Sequence, residues 1–119
     1  MALGEELQSA LKIEFKDAPE VLEKNSRDAS LFVLRPEVVV YPKNAVDIGA
    51  VVKFVMAKKK EAPKSNISLT ARAAGTDMSG GPLNNSIIVD TTKYLNKVLE
   101  VGSMSATLEP GVYFRDFDK

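Results

Sequence analysis

Val38-Val39-Val40-Tyr41-Pro42-Lys43-Asn44-Ala45-Val46-Asp47-Ile48 opens a stretch that runs through Val51, Val52 and Val55 to Lys58-Lys59-Lys60. It closes at Ile67-Ser68-Leu69-Thr70-Ala71. A β-branched run bounded by Pro36 and Pro42 predicts a short buried strand, because proline sits at strand ends and rarely inside them. Asn44 is placed to cap a helix, with Asp47 three residues on to favour its N-terminus. Ile48, Val51, Val52 and Val55 then recur at i, i+3, i+4 and i+7, the spacing of one helix face. The lysine run complements the dipole at the helix C-terminus and reads as a solvated end rather than a phosphate site. Pro63 and Asn66 mark a loop, after which Ile67, Leu69 and Ala71 alternate onto one face of a second strand. Strand, capped helix and strand make a βαβ unit, which predicts a parallel pair joined by a right-handed crossover.

Upstream, Leu7, Ala10, Leu11 and Phe15 form an apolar stripe that predicts a helix from Gly4 to Phe15. A second short helix is predicted from Pro19 through Lys24, with Asp17 as its cap. Downstream lie an irregular stretch from Arg72 to Ser86 and a buried strand at Ile87-Ile88-Val89. Val98 to Val101 and Ala106 to Glu109 read as an antiparallel pair turning at Gly102-Ser103, followed by a turn at Pro110-Gly111. A further apolar element begins at Val112 and runs to Phe117. The predicted class is α/β (α+β): N-terminal helices, a βαβ unit with a small parallel sheet, then the start of a second, antiparallel β subdomain. Three segments follow from this reading: a helical one over 1–36, an α/β one over 37–111 and the opening of another over 112–119.

The chain of 119 residues has room for one ordinary domain. Sixteen basic and sixteen acidic residues balance to zero, which argues against nucleic acid as a partner. No cysteine and no histidine is present. That excludes a disulfide scaffold, a thiolate metal site, a cysteine nucleophile and histidine acid–base chemistry. The opening residues lack a basic n-region and an apolar h-region, and no apolar run approaches the roughly 20 residues of a membrane helix. A cytoplasmic protein without a membrane span is expected.

Arg72-Ala73-Ala74-Gly75-Thr76-Asp77-Met78-Ser79-Gly80-Gly81 directly follows the strand that ends the βαβ unit. Small residues leave successive backbone N–H groups uncovered, as an anion nest requires, and Thr76 and Ser79 add hydroxyl donors. Ligands of open α/β sheets collect beyond the carboxyl ends of strands, which is where this loop lies. It is not a P-loop, since no Lys-Ser or Lys-Thr follows the glycines, and it lacks the G-x-G-x-x-G dinucleotide fingerprint. On residue chemistry alone a structural role and a phosphate-binding role stand level. Arg72 is placed either to meet a phosphate or to anchor Asp90. Asp77 reads as a solvent-facing or turn-capping carboxylate, and Tyr94 and Phe114 as packing residues.

The order of these features resembles the FAD-binding domain of the p-cresol methylhydroxylase/vanillyl-alcohol oxidase (PCMH-type) superfamily. The branch it looks most like holds the FAD subunits of D-lactate dehydrogenase and glycolate oxidase. Ser26-Arg27-Asp28-Ala29-Ser30 is similar to the segment ahead of that family's first strand, and Pro36 to Pro42 to the strand itself. Arg72 to Gly81 is similar to its R-G-x-G-T-x-x-S-G-G loop, Ile88 to Leu99 to the segment that follows, and Leu108-Glu109-Pro110-Gly111-Val112 to the family's next motif.

The resemblance implies that FAD is the cofactor and that the chain is the N-terminal part of an FAD-dependent oxidoreductase. The substrate it implies is a 2-hydroxy acid such as D-lactate or glycolate. It places pyrophosphate contacts on Arg72, Ala73, Ala74, Gly75, Thr76, Asp77, Ser79 and Gly80, with Pro42 on the adenine side and Pro110 and Gly111 at the adenosine end. It implies no catalytic residue and no metal ligand in this chain. Ala73 departs from the family's usual glycine, which is tolerable only at a negative φ. Thr76 stands where some members carry a flavin-linking histidine, so the flavin is expected to be non-covalent. The family's fold continues further, so a truncated version of it is expected here, with a C-terminal half of the enzyme as partner. The alternative is a stand-alone nucleotide-binding or protein-interaction module without redox activity.

Overall fold

The computed structural model describes residues 2–118, and Met1 and Lys119, the outer bounds of the expected segments, lie outside it. Helix α1 (Leu3–Leu11) leads to the two-residue strand β1 (Phe15–Lys16), and helix α2 (Pro19–Lys24) to strand β2 (Val38–Val40). Helix α3 (Ala45–Glu61) and strands β3 (Leu69–Arg72) and β4 (Ile87–Asp90) complete the α/β portion. Strands β5 (Val98–Val101) and β6 (Ala106–Leu108) and the single turn α4 (Phe114–Phe117) follow.

Two expectations about the N-terminal segment need correction. The first helix stops at Leu11 because Lys12 turns left-handed at φ 54° and its N–H bonds Gln8 O. Phe15 therefore lies in β1, opposite Val40. Helix α2 is capped by the extended Ala18, with Pro19 opening the first turn, so Asp17 makes no cap. The residue before a proline is driven out of helical space, which puts the boundary at Ala18. The α3 cap is as expected: the Asn44 side chain accepts from Asp47 N at 2.9 Å, and Asp47 Oδ2 accepts from Lys43 N at 2.9 Å.

The main sheet has the order β1-β2-β4-β3. β2, β3 and β4 run parallel, with Val39 opposite Ile88 and Ile88 opposite Thr70. β2 and β3 thus share a direction and a sheet, as the βαβ reading requires, but they are not neighbours. β4 sits between them. Its Ile87 and Ile88 are fully buried, so it takes the centre, where both backbone edges are paired.

The period of two along the strands divides the core. Val38, Val40, Ile87 and Val89 face one side, against Leu7 of α1 and Val51 and Val55 of α3. Val39, Tyr41 and Ile88 face the other side, against Leu22 of α2. This is why all three valines of β2 are 0% exposed. The β5–β6 hairpin belongs to neither cluster: its residues are exposed throughout, Leu99 and Val101 among them. The chain is correspondingly elongated, 49 × 33 × 24 Å with a radius of gyration of 15.2 Å. A compact domain of this length would have about 13.5 Å. No helix among the described residues is long and apolar enough to cross a membrane.

Candidate functional site

Because β2, β3 and β4 are parallel, their carboxyl ends emerge along one edge of the sheet. Pro42 follows the first, the loop from Ala73 follows the second and Thr91 follows the third. Gly111 joins this edge through Thr91 and Leu95. Its N–H donates to Leu95 O at 2.7 Å, and a Cβ on it would lie 2.0 Å from Thr91 O. Pro42 and Gly111 are buried, whereas Pro110 is exposed.

The loop itself is built by glycine at two points. Gly75 has φ +72° and Gly80 has φ +85°, a region that side-chain-bearing residues rarely adopt. Gly75 also leaves space for a neighbour, since a Cβ there would meet the Arg72 guanidinium at 2.3 Å. Ala73 is not among the residues with positive φ, so its methyl group is accommodated. Gly81 leaves room for the Asp77 carboxylate, whose Oδ2 lies 2.8 Å from the place a Cβ would occupy. Asp77 therefore folds back over the turn that follows it.

Arg72 lies against Gly75 but makes no hydrogen bond to the loop and none to Asp90. Its guanidinium reaches back to the end of α2, donating to Arg27 O at 2.8 Å and, at 3.5 Å, to Asn25 O. Asp90 instead accepts from the N–H and hydroxyl of Thr92. A second tie joins the same segment to the far end of the loop, where Gly80 N donates to Asp28 Oδ2 at 2.9 Å. A third runs from Ala29 N to Asp77 O at 2.8 Å. Asp28 Oδ1 also accepts from the N–H and hydroxyl of Ser30. Desolvation works against the Asp28 charge, but the Ser30 and Gly80 donors and the nearby Arg72 outweigh it and hold the carboxyl below its ordinary range.

With its ends tied, the loop leaves its own donors free. Among the described residues, no main-chain N–H from Ala73 through Ser79 finds an acceptor in the protein. Ala73, Ala74, Thr76, Asp77, Met78 and Ser79 are exposed. Seven successive amides open to solvent, most of them on small residues, suit a phosphate chain. Ala74 and Thr76 also line an open cleft of about 430 Å³ together with Tyr113, Phe114 and Arg115. Phe114, read from sequence as a packing residue, is 78% exposed on that cleft, because α4 buries nothing.

Beside Pro42 lies a cluster that the sequence reading did not single out. Glu14 accepts from Lys93 and from the Tyr94 hydroxyl, and these two donors hold its carboxyl below the usual range. Lys93 lies 5.2 Å from the centre of the Tyr41 ring and 5.3 Å from that of Tyr94, and Lys43 5.3 Å from Tyr94. Tyr94 packs as expected, half-buried against the cluster of Leu22, Val39, Tyr41 and Ile88.

Comparison with known proteins matches residues 36–119 to a family described as FAD binding domain. The chain is 32% identical over 78 residues to D-2-hydroxyglutarate dehydrogenase of Pantoea ananatis and 30% identical over 76 residues to that of Escherichia coli. These alignments take in 66% and 64% of this chain but only 7% of each relative's length. Among solved structures, p-cresol methylhydroxylase with substrate bound superposes with a TM-score of 0.72 at 19% identity, over 96% of this chain and 23% of that one. The 4-ethylphenol oxidase of Gulosibacter chungangensis, in its isoeugenol complex, gives 0.66 at 19% identity, over 91% and 21%. At such identity these two matches establish a shared fold.

Proposed function

The chain belongs to the FAD binding domain family, and from that premise we propose that it is the diphosphate-binding portion of an FAD-dependent oxidoreductase acting on a 2-hydroxy acid. The observation that carries the reading is the run of seven unpaired amides after β3, at the carboxyl edge of a parallel sheet. Ala73, Ala74, Gly75, Thr76, Asp77 and Ser79 would hold the two phosphates through their N–H groups, with the Thr76 and Ser79 hydroxyls beside them. Arg72 and Gly80 shape the loop from its two ends. Pro42, Pro110 and Gly111 border the adenosine, in a unit spanning 37–111 between a helical segment over 1–36 and the opening of another over 112–119.

We take the flavin to be held without a covalent bond to this chain: Thr76 stands in the loop, and these 119 residues offer no histidine or cysteine for a histidyl or cysteinyl link. Bound there, FAD would supply the two-electron oxidation, and this chain would supply its anchorage. The 2-hydroxy acid rests on the D-2-hydroxyglutarate dehydrogenases to which the chain is similar; D-lactate and glycolate are the smaller members of that class. The isoalloxazine pocket and the substrate site lie in polypeptide outside these 119 residues. The apolar hairpin Val98, Leu99, Val101 and Leu108 and the exposed Phe114 offer a surface for it to cover.

Calorimetric titration of this chain with FAD, ADP and riboflavin tests the reading. FAD and ADP are expected to bind with similar, weak affinity, because both present the diphosphate, and riboflavin is expected not to bind. Riboflavin binding as tightly as FAD would place the contacts on the ring system and contradict the assignment.

A further inference from the structure

We propose that Asp28 is a positioning residue for the diphosphate loop: its carboxylate, tied to Ser30 on one oxygen and to the Gly80 N–H on the other, holds residues 73–79 with their amides free before any ligand arrives. The proposal deepens the reading of the loop as the diphosphate site and rests on it.

A seven-residue loop with no internal amide bonds loses much backbone entropy when a ligand fixes it, and that loss is subtracted from affinity. Here the loop is fixed from outside. The segment between α2 and β2 grips it at three points: Arg27 O holds Arg72 at its start, Ala29 N holds Asp77 O in its middle and Asp28 holds Gly80 at its end. The gripping segment is itself anchored. Asn25 Nδ2 bonds Val21 O, the Ser26 hydroxyl bonds Glu23 O, and Leu34 N bonds Ser26 O. Both Asn25 and Ser26 are buried, so the grip transmits the rigidity of α2 to the loop. The Phe32 ring closes over Gly80 from the same segment, 3.1 Å from the place a Cβ would occupy.

Asp28 is the one charged acceptor in this grip, and ionised acceptors make the stronger hydrogen bonds. Both of its oxygens face the protein's own donors, Oδ1 the Ser30 N–H and hydroxyl and Oδ2 the Gly80 N–H. The arrangement takes the Gly80 N–H out of the donor set and stops the free amides at Ser79. What Asp28 contributes to binding is geometry, exerted through Gly80.

Three variants of the full chain, titrated with ADP by calorimetry, separate this role from its rivals. Asp28→Asn keeps the shape but has one carbonyl oxygen for two sets of donors. Asp28→Glu keeps the charge and displaces it by a methylene. Asp28→Ala removes both. Affinity for ADP is expected to fall about tenfold in the Asn and Glu variants and further in the Ala variant, the size set by losing one charge-assisted bond. Hydrogen exchange of the Ile87–Asp90 amides, read on the same samples, is expected to stay at the wild-type rate. A drop in affinity accompanied by faster exchange in β4 would make Asp28 a general fold support and overturn the proposal. So would unchanged affinity in the Asn and Glu variants. A rise in the Asn variant would show that Asp28 repels the ligand, with the same consequence. Wild-type chain that binds no ADP would instead overturn the diphosphate assignment beneath, an outcome distinct from wild-type binding with indifferent variants.

Discussion

Gly75→Val abolishes ADP and FAD binding and leaves the far-UV circular dichroism of the chain unchanged. Two separate costs produce this. At φ +72° a β-branched residue is strained by about 1–3 kcal/mol. Its Cβ would also fall 2.3 Å from the Arg72 guanidinium, which must then leave Arg27 O. The loop relieves both by changing its backbone path, and the amides from Ala73 to Ser79 lose their present arrangement. Because the core clusters contain no residue of the loop, the sheet and helices persist. Gly49→Ala is the control, since a Cβ there meets nothing within 4 Å. Relief of the glycine penalty inside α3 should make that variant about 0.5–1 kcal/mol more stable, with ADP affinity unchanged. ADP binding by Gly75→Val at wild-type affinity would move the diphosphate site away from this loop.

Ile88→Ala carries the largest expected loss of stability. Ile88 is 0% exposed at the centre of β4, paired with Val39 on one side and Thr70 on the other, and packed with Leu22 and Tyr41. Removing three buried carbons from such a place costs about 2–5 kcal/mol. A domain of this kind has about 5–15 kcal/mol in total, so the urea midpoint should move by a large fraction of its value. Leu99→Ala deletes the same number of carbons from β5, where the side chain is 61% exposed, and should shift stability by less than about 0.5 kcal/mol. Equal losses at the two positions would show that the hairpin is packed in solution.

Where local chemistry decides, the sequence was a good guide. Asn44 and Asp47 mark the start of α3, because a cap needs only neighbouring residues, and an unbroken run of valines between prolines carries in its own composition the apolar character of a strand covered on both faces. The same holds for the β5–β6 pair, closed by Gly102 N donating to Ser105 O at 2.6 Å. Ala73 could be judged too: a negative φ was the stated condition, and the backbone meets it.

What depends on partners far along the chain was not legible. That β4 would enter between β2 and β3 is a matter of which strand can be buried on both faces and edges, and no spacing within β2–α3–β3 records it. Of the two partners weighed for Arg72, Asp90 is not the one it meets: its guanidinium bonds carbonyls 45 and 47 residues upstream. Asp28 stood in a motif noted for its family likeness, but its tie to Gly80 spans 52 residues, and nothing in the pattern names that partner. Gly75 was read as a glycine that lets an amide approach a phosphate. The structure adds that it makes room for Arg72.

The central claim, that the amides after β3 receive the FAD diphosphate, is tested most directly by following ¹H–¹⁵N resonances while ADP is added to the labelled chain. The account predicts saturable shifts concentrated at Ala73 through Ser79, with Ile87–Asp90 moving little. Shifts concentrated instead around Lys43, Asn44 and Lys93, with residues 73–79 unmoved, would contradict it.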